Sequence, residues 1–243
     1  MNLNEQQTFW DDFAQEYTEI QAETVTKIGE DVAHFLAETA LFPVTSFVDL
    51  AGGSGKYVPY LRSFCQDYYL IDFSNEMLQI ASTQFKGEDI KYWQVDQQAF
   101  FEQASPASYD FIFTAMNPAL QTKADLDQLV RIATKGVAIL RLTSDSDVLF
   151  SPWEEVVDDS LMAQYKNWLD VDFESKLFTY TMVEEIERSF FENYFEEELQ
   201  QDLMLQLLQK YFSHSNTYQN KRTITFELLL VKTYKSREIN EDY

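Results

Sequence analysis

The sequence predicts an α/β protein with a doubly wound, mostly parallel sheet, N-terminal helices and a helical cap in the C-terminal half. Three observations support this fold class. Short apolar segments rich in β-branched and aromatic residues recur through the central third of the 243-residue chain, segments with helical spacing separate them, and another strand pattern lies near the carboxyl end. Strands that alternate with helices in this way form βαβ units, whose helices cover both faces of the sheet.

The predicted strands of the central third lie at residues 46–50, 68–72, 90–95, 109–113 and 136–142. Between them, apolar residues recur at intervals of three and four, as in Met77, Leu78 and Ala81, which predicts crossover helices. Residues 4–40 show the same spacing and predict one or two helices before the first strand. Pro43 ends this helical region.

Helical patterns predominate beyond residue 150. Residues 153–169 and 182–211 predict helices, and a strand is expected between them near residues 176–181. Residues 223–233 predict a final strand, which in a doubly wound sheet of this kind runs antiparallel.

The charge balance limits the partners of the chain. It carries 41 acidic residues against 18 basic ones, a net charge of −23. Residues 47–143 hold 11 acids and 8 bases, whereas residues 151–212 hold 15 acids and 4 bases, so the acidity lies in the flanks. Nucleic acids and anionic membranes require a basic surface and are therefore excluded as partners. The acidic residues are interpreted as solvated helix faces, with attraction of a cationic substrate or partner as the alternative.

Composition also predicts the cellular compartment. No apolar segment approaches the roughly 18 to 20 residues that span a bilayer, and the polar amino terminus is unlike a secretory signal. The single cysteine, Cys65, forms neither an internal disulfide nor a thiolate metal cluster, and two distant histidines predict no metal site. We therefore expect a reduced, cytoplasmic protein.

The most informative segment is residues 48–57, VDLAGGSGKY, at the turn from the first strand into the first helix. Its small residues permit positive φ angles and a close approach of ligand to backbone. A P-loop requires glycine where Leu50 stands and serine or threonine where Tyr57 stands, so that interpretation fails. A dinucleotide loop requires a third glycine where Val58 stands. Asp49 ahead of the loop suits a cationic ligand better than a pyrophosphate.

Asp49, Ala51, Gly53 and Gly55 resemble the first motif of the class I S-adenosylmethionine-dependent methyltransferases, an acid followed by three alternating glycines. Ala51 departs from the motif at the first glycine. The resemblance implies a Rossmann-like methyltransferase fold and S-adenosylmethionine as the cofactor. It also implies that Asp49 faces the amino group of the cofactor and that the loop, including Gly52, passes beneath its methionine part.

Two further strand ends support the resemblance. Asp72 ends the second predicted strand, where the resemblance implies that its carboxylate accepts hydrogen bonds from both ribose hydroxyls. Phe73 and Met77 follow it as further cofactor contacts. Asp96 and Gln97 follow the third strand, where an acid would accept the adenine amine and the next backbone amide would meet the ring.

The remaining candidates lie at the fourth strand and in the N-terminal helix. Thr114 ends the fourth strand and would line the slot through which the methyl group passes. Tyr17 is the candidate for an aromatic residue over the cofactor, with Trp10 beside it near the substrate; an amphipathic core stripe explains both equally well. Asn117 precedes Pro118 in an imperfect likeness to the Asn-Pro-Pro-aromatic motif of amino-methylating enzymes, and is at most a substrate contact. A turn-forming asparagine is the alternative.

The resemblance extends over residues 9–143, and we expect one methyltransferase domain. Its parts are an N-terminal helical lid at 1–44, a cofactor-binding core at 45–150, a mostly helical substrate cap at 151–222 and the last strand at 223–235.

The expected function is transfer of a methyl group from S-adenosylmethionine to a small-molecule acceptor, with a cationic amine as one candidate. Because the departing thioether is neutral, alignment and desolvation of the acceptor supply much of the rate, and no catalytic residue is identified. The alternatives are a non-catalytic S-adenosylmethionine-binding or protein-interaction module and another transferase on the same fold. The oligomeric state is not predicted.

Overall fold

The structure is a computed structural model that describes residues 2–23, 26–153, 160–196 and 199–233. These residues divide into two compact units. The first unit comprises the described residues of Met1–Arg141, Asp159–Phe178 and Phe226–Tyr243, and the second those of Leu142–Asp158 and Thr179–Thr225. The units do not coincide with the four parts expected from the sequence, and the single domain stays a prediction.

The strands are β1 (Val44–Leu50), β2 (Cys65–Asp72), β3 (Ile90–Gln94), β4 (Tyr109–Ala115), β5 (Ala133–Ser146), β6 (Phe173–Glu187) and β7 (Thr217–Lys232). The described helices are α1 (Leu3–Ala22), α2 (Ile28–Ala37), α3 (Val58–Leu61), α4 (Asn75–Gln84), α5 (Gln97–Gln103), α6 (Lys123–Ile132), α7 (Ser160–Trp168), α8 (Arg188–Tyr194) and α9 (Gln201–Phe212). The strands form one sheet in the order β3-β2-β1-β4-β5-β7-β6. None of the described helices has both the length and the apolarity needed to cross a membrane.

The first five strands are parallel, as the sequence predicts. β1 lies between β2 and β4, with Asp49 paired to Leu70 on one side and to Phe113 on the other. β3 adds to β2, and β5 adds to β4. The strand order therefore reverses at β1 and β4, and the crevice at the carboxyl ends of these two strands is where open α/β sheets bind their ligands.

The last strand is antiparallel, which confirms the sequence-based expectation. Thr179 and Thr181 of β6 lie opposite Thr225 and Thr223 of β7, with hydroxyl separations of 3.1 and 3.3 Å. The residue number in β7 falls as that in β6 rises, so these two strands run in opposite directions. The same holds for β7 and β5: the Thr143 hydroxyl donates to the Thr225 carbonyl, and the N–H of Thr233, just beyond β7, donates to the Lys135 carbonyl.

The C-terminal half contains more strand than the sequence analysis expects. β6 continues to Glu187, so the helix predicted over residues 182–211 begins only at Arg188 and is divided into α8 and α9. Along β6, Tyr180, Met182, Glu184 and Ile186 are half-buried while the residues between them are exposed, which is the period of two that a strand requires. Of the helix predicted over 153–169, residues 160–168 form α7, and residues 154–159 lie outside the described residues.

The second unit has an aromatic core of its own. Phe191 and Phe195 have no exposed surface and pack with Phe212 of α9. On the same short helix, Phe190 and Tyr194 are exposed. The aromatic residues that lie between the glutamates of this segment are therefore divided between a buried face and an exposed face, as expected for an amphipathic helix.

Candidate functional site

The loop after β1 contains three residues with positive φ: Ala51 at 55°, Gly53 at 56° and Gly55 at 83°. Glycine adopts this left-handed conformation readily, whereas a residue with a Cβ is strained by roughly 1 to 2 kcal/mol. A Cβ placed on Gly53 would have one neighbour within 4 Å, the sulfur of Met77 at 3.8 Å. The side of the loop at Gly53 is therefore open enough for a ligand to approach the backbone.

Asp49 is the acid that precedes this loop, and it is 1% exposed. Its Oδ2 accepts a hydrogen bond of 2.8 Å from the Tyr68 hydroxyl, while its Oδ1 has no hydrogen-bond partner in the described part of the chain. Burial raises the pKa of Asp49 to about 7, although the Tyr68 hydrogen bond lowers it and the charge of Asp72 raises it further. A Cβ on Gly52 would lie 2.8 Å from the Asp49 Cγ, so glycine leaves room for the carboxyl group.

The unpartnered oxygen of Asp49 fits a cationic ligand. A buried carboxylate oxygen without a donor is costly, and a ligand that supplies both a donor and a positive charge removes that cost. The ammonium group of S-adenosylmethionine has both properties. The open backbone at Gly53 and the orphan oxygen of Asp49 are thus compatible with this cofactor.

Asp72 joins the end of β2 to the loop after β1. Its Oδ2 accepts the backbone N–H of Gly53 at 2.8 Å, and its Oδ1 accepts that of Ser74 at 2.9 Å. Burial raises the pKa of Asp72, the backbone hydrogen bonds oppose this, and the charge of Asp11 adds to it. The Phe73 backbone also interacts with this carboxylate, which has about four acceptor sites in all, so Asp72 retains capacity for a ribose hydroxyl.

Asp11 of α1 is a site residue that the sequence analysis did not select. Its Oδ1 accepts hydrogen bonds from the Ser74 hydroxyl at 2.6 Å and from the Glu76 backbone N–H at 3.2 Å. A carboxylate near the first turn of α4 also interacts favourably with the N–H groups there. The signal in the sequence was an acid within the aromatic stripe of α1, on the face that packs against α4.

The aromatic candidates of α1 lie together. The rings of Trp10 and Tyr17 are 5.3 Å apart in an edge-on arrangement, and both side chains are half-buried. Burial raises the pKa of Tyr17, its hydrogen bond with Gln21 lowers it, and the negative charge of Asp72 raises it.

The start of α4 is capped by a side chain. The Ser74 hydroxyl accepts the backbone N–H of Met77 at 3.2 Å. Met77 is buried below the loop, whereas Phe73 is half-buried and its carbonyl accepts a hydrogen bond of 3.3 Å from Gln94. Met77 and Phe73 therefore both lie at the turn that holds Asp72.

Asp96 and Thr114 lie at the ends of the next strands. The Asp96 carboxylate caps α5 by accepting the backbone N–H groups of Gln98 and Ala99 at 2.9 and 3.0 Å, both through Oδ1. Thr114 is 1% exposed, and its hydroxyl donates to the Leu50 carbonyl at 2.8 Å, which fixes the end of β4 to that of β1. The Asp96 Oδ2 takes no part in the helix cap.

Gln97 and Asn117 are bonded to each other within the protein. The Asn117 Nδ2 donates to the Gln97 Oε1 at 2.9 Å, and the Asn117 Oδ1 accepts the backbone N–H of Ala119 at 2.9 Å. The Asn117 carbonyl also accepts a hydrogen bond from Arg141 at 3.2 Å. This is the turn-forming arrangement that the sequence analysis gave as the alternative, and a substrate contact by Asn117 stays a prediction.

The structure thus brings the candidates together in two groups. Asp49, the loop residues, Asp72 and Met77 form one group, whereas Gln97 and Asn117 form the second by direct hydrogen bonding. Among the described residues no group of three or more His, Cys, Asp or Glu side chains is arranged to hold a metal ion.

Comparisons with known proteins agree with this geometry. The family model described as a methyltransferase domain matches residues 47–137. A candidate methyltransferase from Bacillus halodurans is similar at a TM-score of 0.55 and 12% identity, over 84% of this chain and 99% of that one. The YcgJ protein of Bacillus subtilis is similar at 0.52 and 11%, over 84% and 99% of the two chains. No curated protein sequence matches significantly.

Proposed function

We propose that this chain transfers a methyl group from S-adenosylmethionine to a small-molecule acceptor by in-line displacement, since residues 47–137 match a methyltransferase domain. The observation that carries the proposal is the charge of the protein. With 41 acids against 18 bases, the surface repels the phosphate backbone of nucleic acids.

Ion pairing reduces the available positive charge further. Several basic side chains lie within 4 Å of a carboxylate, as in Lys91–Asp67, Lys123–Asp127, Lys135–Asp110, Lys166–Glu227, Arg188–Glu192, Arg222–Asp145 and Lys232–Glu174. Release of counterions, which drives binding to nucleic acids, requires cations that are free to pair with phosphates.

Each strand end has a separate role in the proposed site. Asp49 binds the ammonium group, and Asp72 accepts the ribose hydroxyls through its remaining lone pairs. Asp96 accepts the adenine amine, which its Oδ2 can do without disturbing the helix cap. Tyr17 covers the cofactor from α1, and Thr114 keeps the end of β4 beside the loop. The loop residues Ala51, Gly52, Gly53 and Gly55 lie beneath the methionine part, with Phe73, Met77 and Gln97 as flanking contacts.

Methyl transfer from this cofactor requires no side chain that acts as an acid on the leaving group. S-adenosylmethionine supplies a methyl group on a sulfonium sulfur that departs as a neutral thioether. No residue of this chain therefore needs to protonate the leaving group, and the protein accelerates the reaction by alignment and exclusion of water. A general base is required only for an acceptor that must lose a proton during transfer. Trp10 is the proposed aromatic contact on the acceptor side.

Calorimetric titration with S-adenosylmethionine and S-adenosylhomocysteine, with NAD as the control, tests the cofactor site. We expect micromolar binding of the first two ligands and none of NAD. Asp72→Ala should weaken binding by about 1 to 3 kcal/mol, because a charged acceptor is removed from two hydroxyls. The matched control is Asp67→Ala, at a half-buried acid of the same strand that is paired with Lys91, which should leave the affinity unchanged.

The acceptor class is tested with radiolabelled cofactor. Pools of small amines, carboxylic acids and phenols are incubated with the enzyme beside total ribosomal and transfer RNA. Label in a small-molecule pool supports the proposal, whereas label in RNA overturns it. Binding of the cofactor without transfer to any pool would favour the non-catalytic module.

A further inference from the structure

Arg141 is a half-buried cation of β5, beside the carboxyl end of β4, that the roles assigned above do not use. It follows Leu140, which is paired with Ala115 at the end of β4. Arg62 and Arg131, by contrast, precede β2 and β5 and thus lie at the opposite, amino edge of the sheet. Arg141 therefore stands one strand away from the crevice between β1 and β4, where open α/β sheets bind their ligands.

Two hydrogen bonds fix the direction of the Arg141 side chain. Its Nη1 donates to the Asn117 carbonyl at 3.2 Å and to the Tyr165 hydroxyl at 3.4 Å. Tyr165 of α7 has no exposed surface, and its hydroxyl in turn donates to the Leu120 carbonyl. The guanidinium group is therefore held against the turn of residues 117–120 that follows β4.

The remaining nitrogens of Arg141, Nε and Nη2, make no hydrogen bond with the residues that the structure describes, and none of those residues forms an ion pair with the guanidinium group. Asp125 of α6 accepts hydrogen bonds from Gln98 and Thr122 instead. A partly desolvated charge without a counter-charge is destabilising, so a ligand that supplies one would stabilise this arrangement.

Nε and Nη2 form the side of a guanidinium group that binds a carboxylate through two parallel hydrogen bonds. The second unit contains an example of this geometry, since the Nε and Nη2 of Arg222 donate to the two oxygens of Asp145 at 2.8 and 2.7 Å. Arg141 has the same pair of donors available for an acid that comes from outside the described residues.

The turn beside Arg141 begins with a strained residue. Met116 has φ 52°, which is uncommon for a bulky side chain, and Asn117 is fixed by its hydrogen bond to Gln97 at 2.9 Å. Backbone strain of this kind persists where the surrounding contacts enforce it, and it is concentrated at ligand sites. The turn therefore provides a rigid wall beside the guanidinium group.

From these observations, and on the basis of the methyl transfer given under Proposed function, we propose that the methyl acceptor is an organic acid whose carboxylate binds to Nε and Nη2 of Arg141. Asp49 and Asp72 end β1 and β2, on the other side of β4, so the cofactor and this carboxylate occupy different parts of one edge. The methylated atom is a second nucleophile of the same molecule, because pairing with a guanidinium group makes a carboxylate less nucleophilic. An amine without a carboxylate would be repelled by Arg141.

Pairs of carboxylates and amides of the same shape test the proposal. Acetate, benzoate and phenylacetate are titrated into protein saturated with S-adenosylhomocysteine, beside acetamide, benzamide and phenylacetamide. At least one carboxylate should bind about tenfold more tightly than its amide, as a charge-assisted pair provides. In Arg141→Gln this preference should fall nearly to one. Arg141→Lys should keep part of it, because lysine retains the charge but not the paired donors.

The matched control is Arg131→Gln. Arg131 is also half-buried and donates to a backbone carbonyl, that of Phe101 at 2.7 Å, so this variant loses a contact of the same kind at the other edge of the sheet. It should keep the preference of wild type.

The proposal is overturned if no carboxylate binds wild-type protein more tightly than its amide, or if Arg141→Gln keeps the full preference. Transfer of label to an amine without a carboxylate would overturn it as well. In each of these cases S-adenosylhomocysteine still binds. If wild-type protein does not bind S-adenosylhomocysteine, the cofactor site and this proposal both fail, which is a different result from loss of the preference alone.

Discussion

The hydroxyl of Tyr68 donates a hydrogen bond of 2.8 Å to one oxygen of Asp49 and leaves the other oxygen without a partner. Both side chains are almost fully buried, Tyr68 at 0% and Asp49 at 1% exposure. The pair therefore holds a carboxyl group in a fixed orientation beneath the loop. Because burial raises the pKa of Asp49 to about 7, a change of pH near neutrality changes the charge that faces the cofactor.

Tyr68→Phe should move the pH dependence of cofactor binding to higher pH. In wild type, affinity for S-adenosylhomocysteine should rise as pH increases through about 7, because the ammonium group binds the ionised form of Asp49. The Tyr68 hydrogen bond lowers the pKa of Asp49, so its removal should shift the midpoint of the binding curve upward by about one pH unit. Binding titrations at several pH values between about 6 and 9, the range over which the Asp49 carboxyl group ionises, measure the shift. Tyr69→Phe, at the next and less buried tyrosine, serves as the control; identical profiles for all three proteins would contradict the prediction.

Asp49→Asn should stabilise the ligand-free protein at high pH. The folded-state pKa of Asp49 is raised from 3.8 to about 7, so the folded form binds more protons than the unfolded form within this window, and stability falls as pH rises through it. Asparagine carries no charge, so the free energy of unfolding of the variant at about pH 8 should exceed that of wild type by about 2 kcal/mol, and this advantage should be nearly gone at about pH 4, close to the unfolded-state pKa of 3.8. Chemical denaturation at both pH values measures the difference.

Asp110→Asn should have the opposite effect on stability at high pH. Burial raises the pKa of Asp110, but hydrogen bonds from Thr45 and Thr134 and the charge of Lys135 outweigh this, and the pKa is lowered overall. The ionised form therefore stabilises the fold, and the substitution should destabilise the protein at high pH. Equal effects of the two substitutions would be inconsistent with the environments described.

Ala51→Gly should raise the thermal stability of the protein. Ala51 has φ 55°, so glycine relieves a strain that exceeds its own entropic cost, for a net gain of about 1 kcal/mol. Thermal unfolding monitored by circular dichroism measures it. Ala104→Gly is the control, because Ala104 has φ −78° and glycine there should lower the stability. A lower melting temperature for Ala51→Gly would contradict the prediction.

Asp11→Ala should loosen α1 and weaken cofactor binding together. The substitution removes two hydrogen bonds between α1 and the start of α4, which together stabilise the docked helix by about 1 to 3 kcal/mol. Faster amide hydrogen exchange within α1 and a lower affinity for S-adenosylhomocysteine are expected. Asp12→Ala, at an exposed acid of the same helix, should change neither quantity.

The central sheet and the loop could be predicted because their signals are local. Asp49 and Asp72 each stand at the end of an apolar strand, and parallel strands bring such ends to one edge. Asp11 could not be found in this way, because its partner Ser74 is 63 residues away and nothing in the sequence near either residue indicates the other.

The C-terminal half was harder to predict because two periodicities compete in it. Glutamates and aromatic residues after Met182 fit an amphipathic helix, but Tyr180, Met182, Glu184 and Ile186 lie two positions apart and occupy one face of a strand. Pairing with β7 decides in favour of the strand, since the threonines at 179 and 181 lie opposite those of β7. Contacts between strands so distant in sequence override local helix preference.

Ser74 connects the ribose-binding candidate to α1 through a short relay of hydrogen bonds. Its backbone N–H donates to Asp72, and its hydroxyl accepts from Met77 and donates to Asp11. Trp10 precedes Asp11 on the same helix, and its ring contacts that of Tyr17 with the centroids 5.3 Å apart. The relay therefore makes the position of α1, with these two aromatic rings, depend on the turn that follows β2.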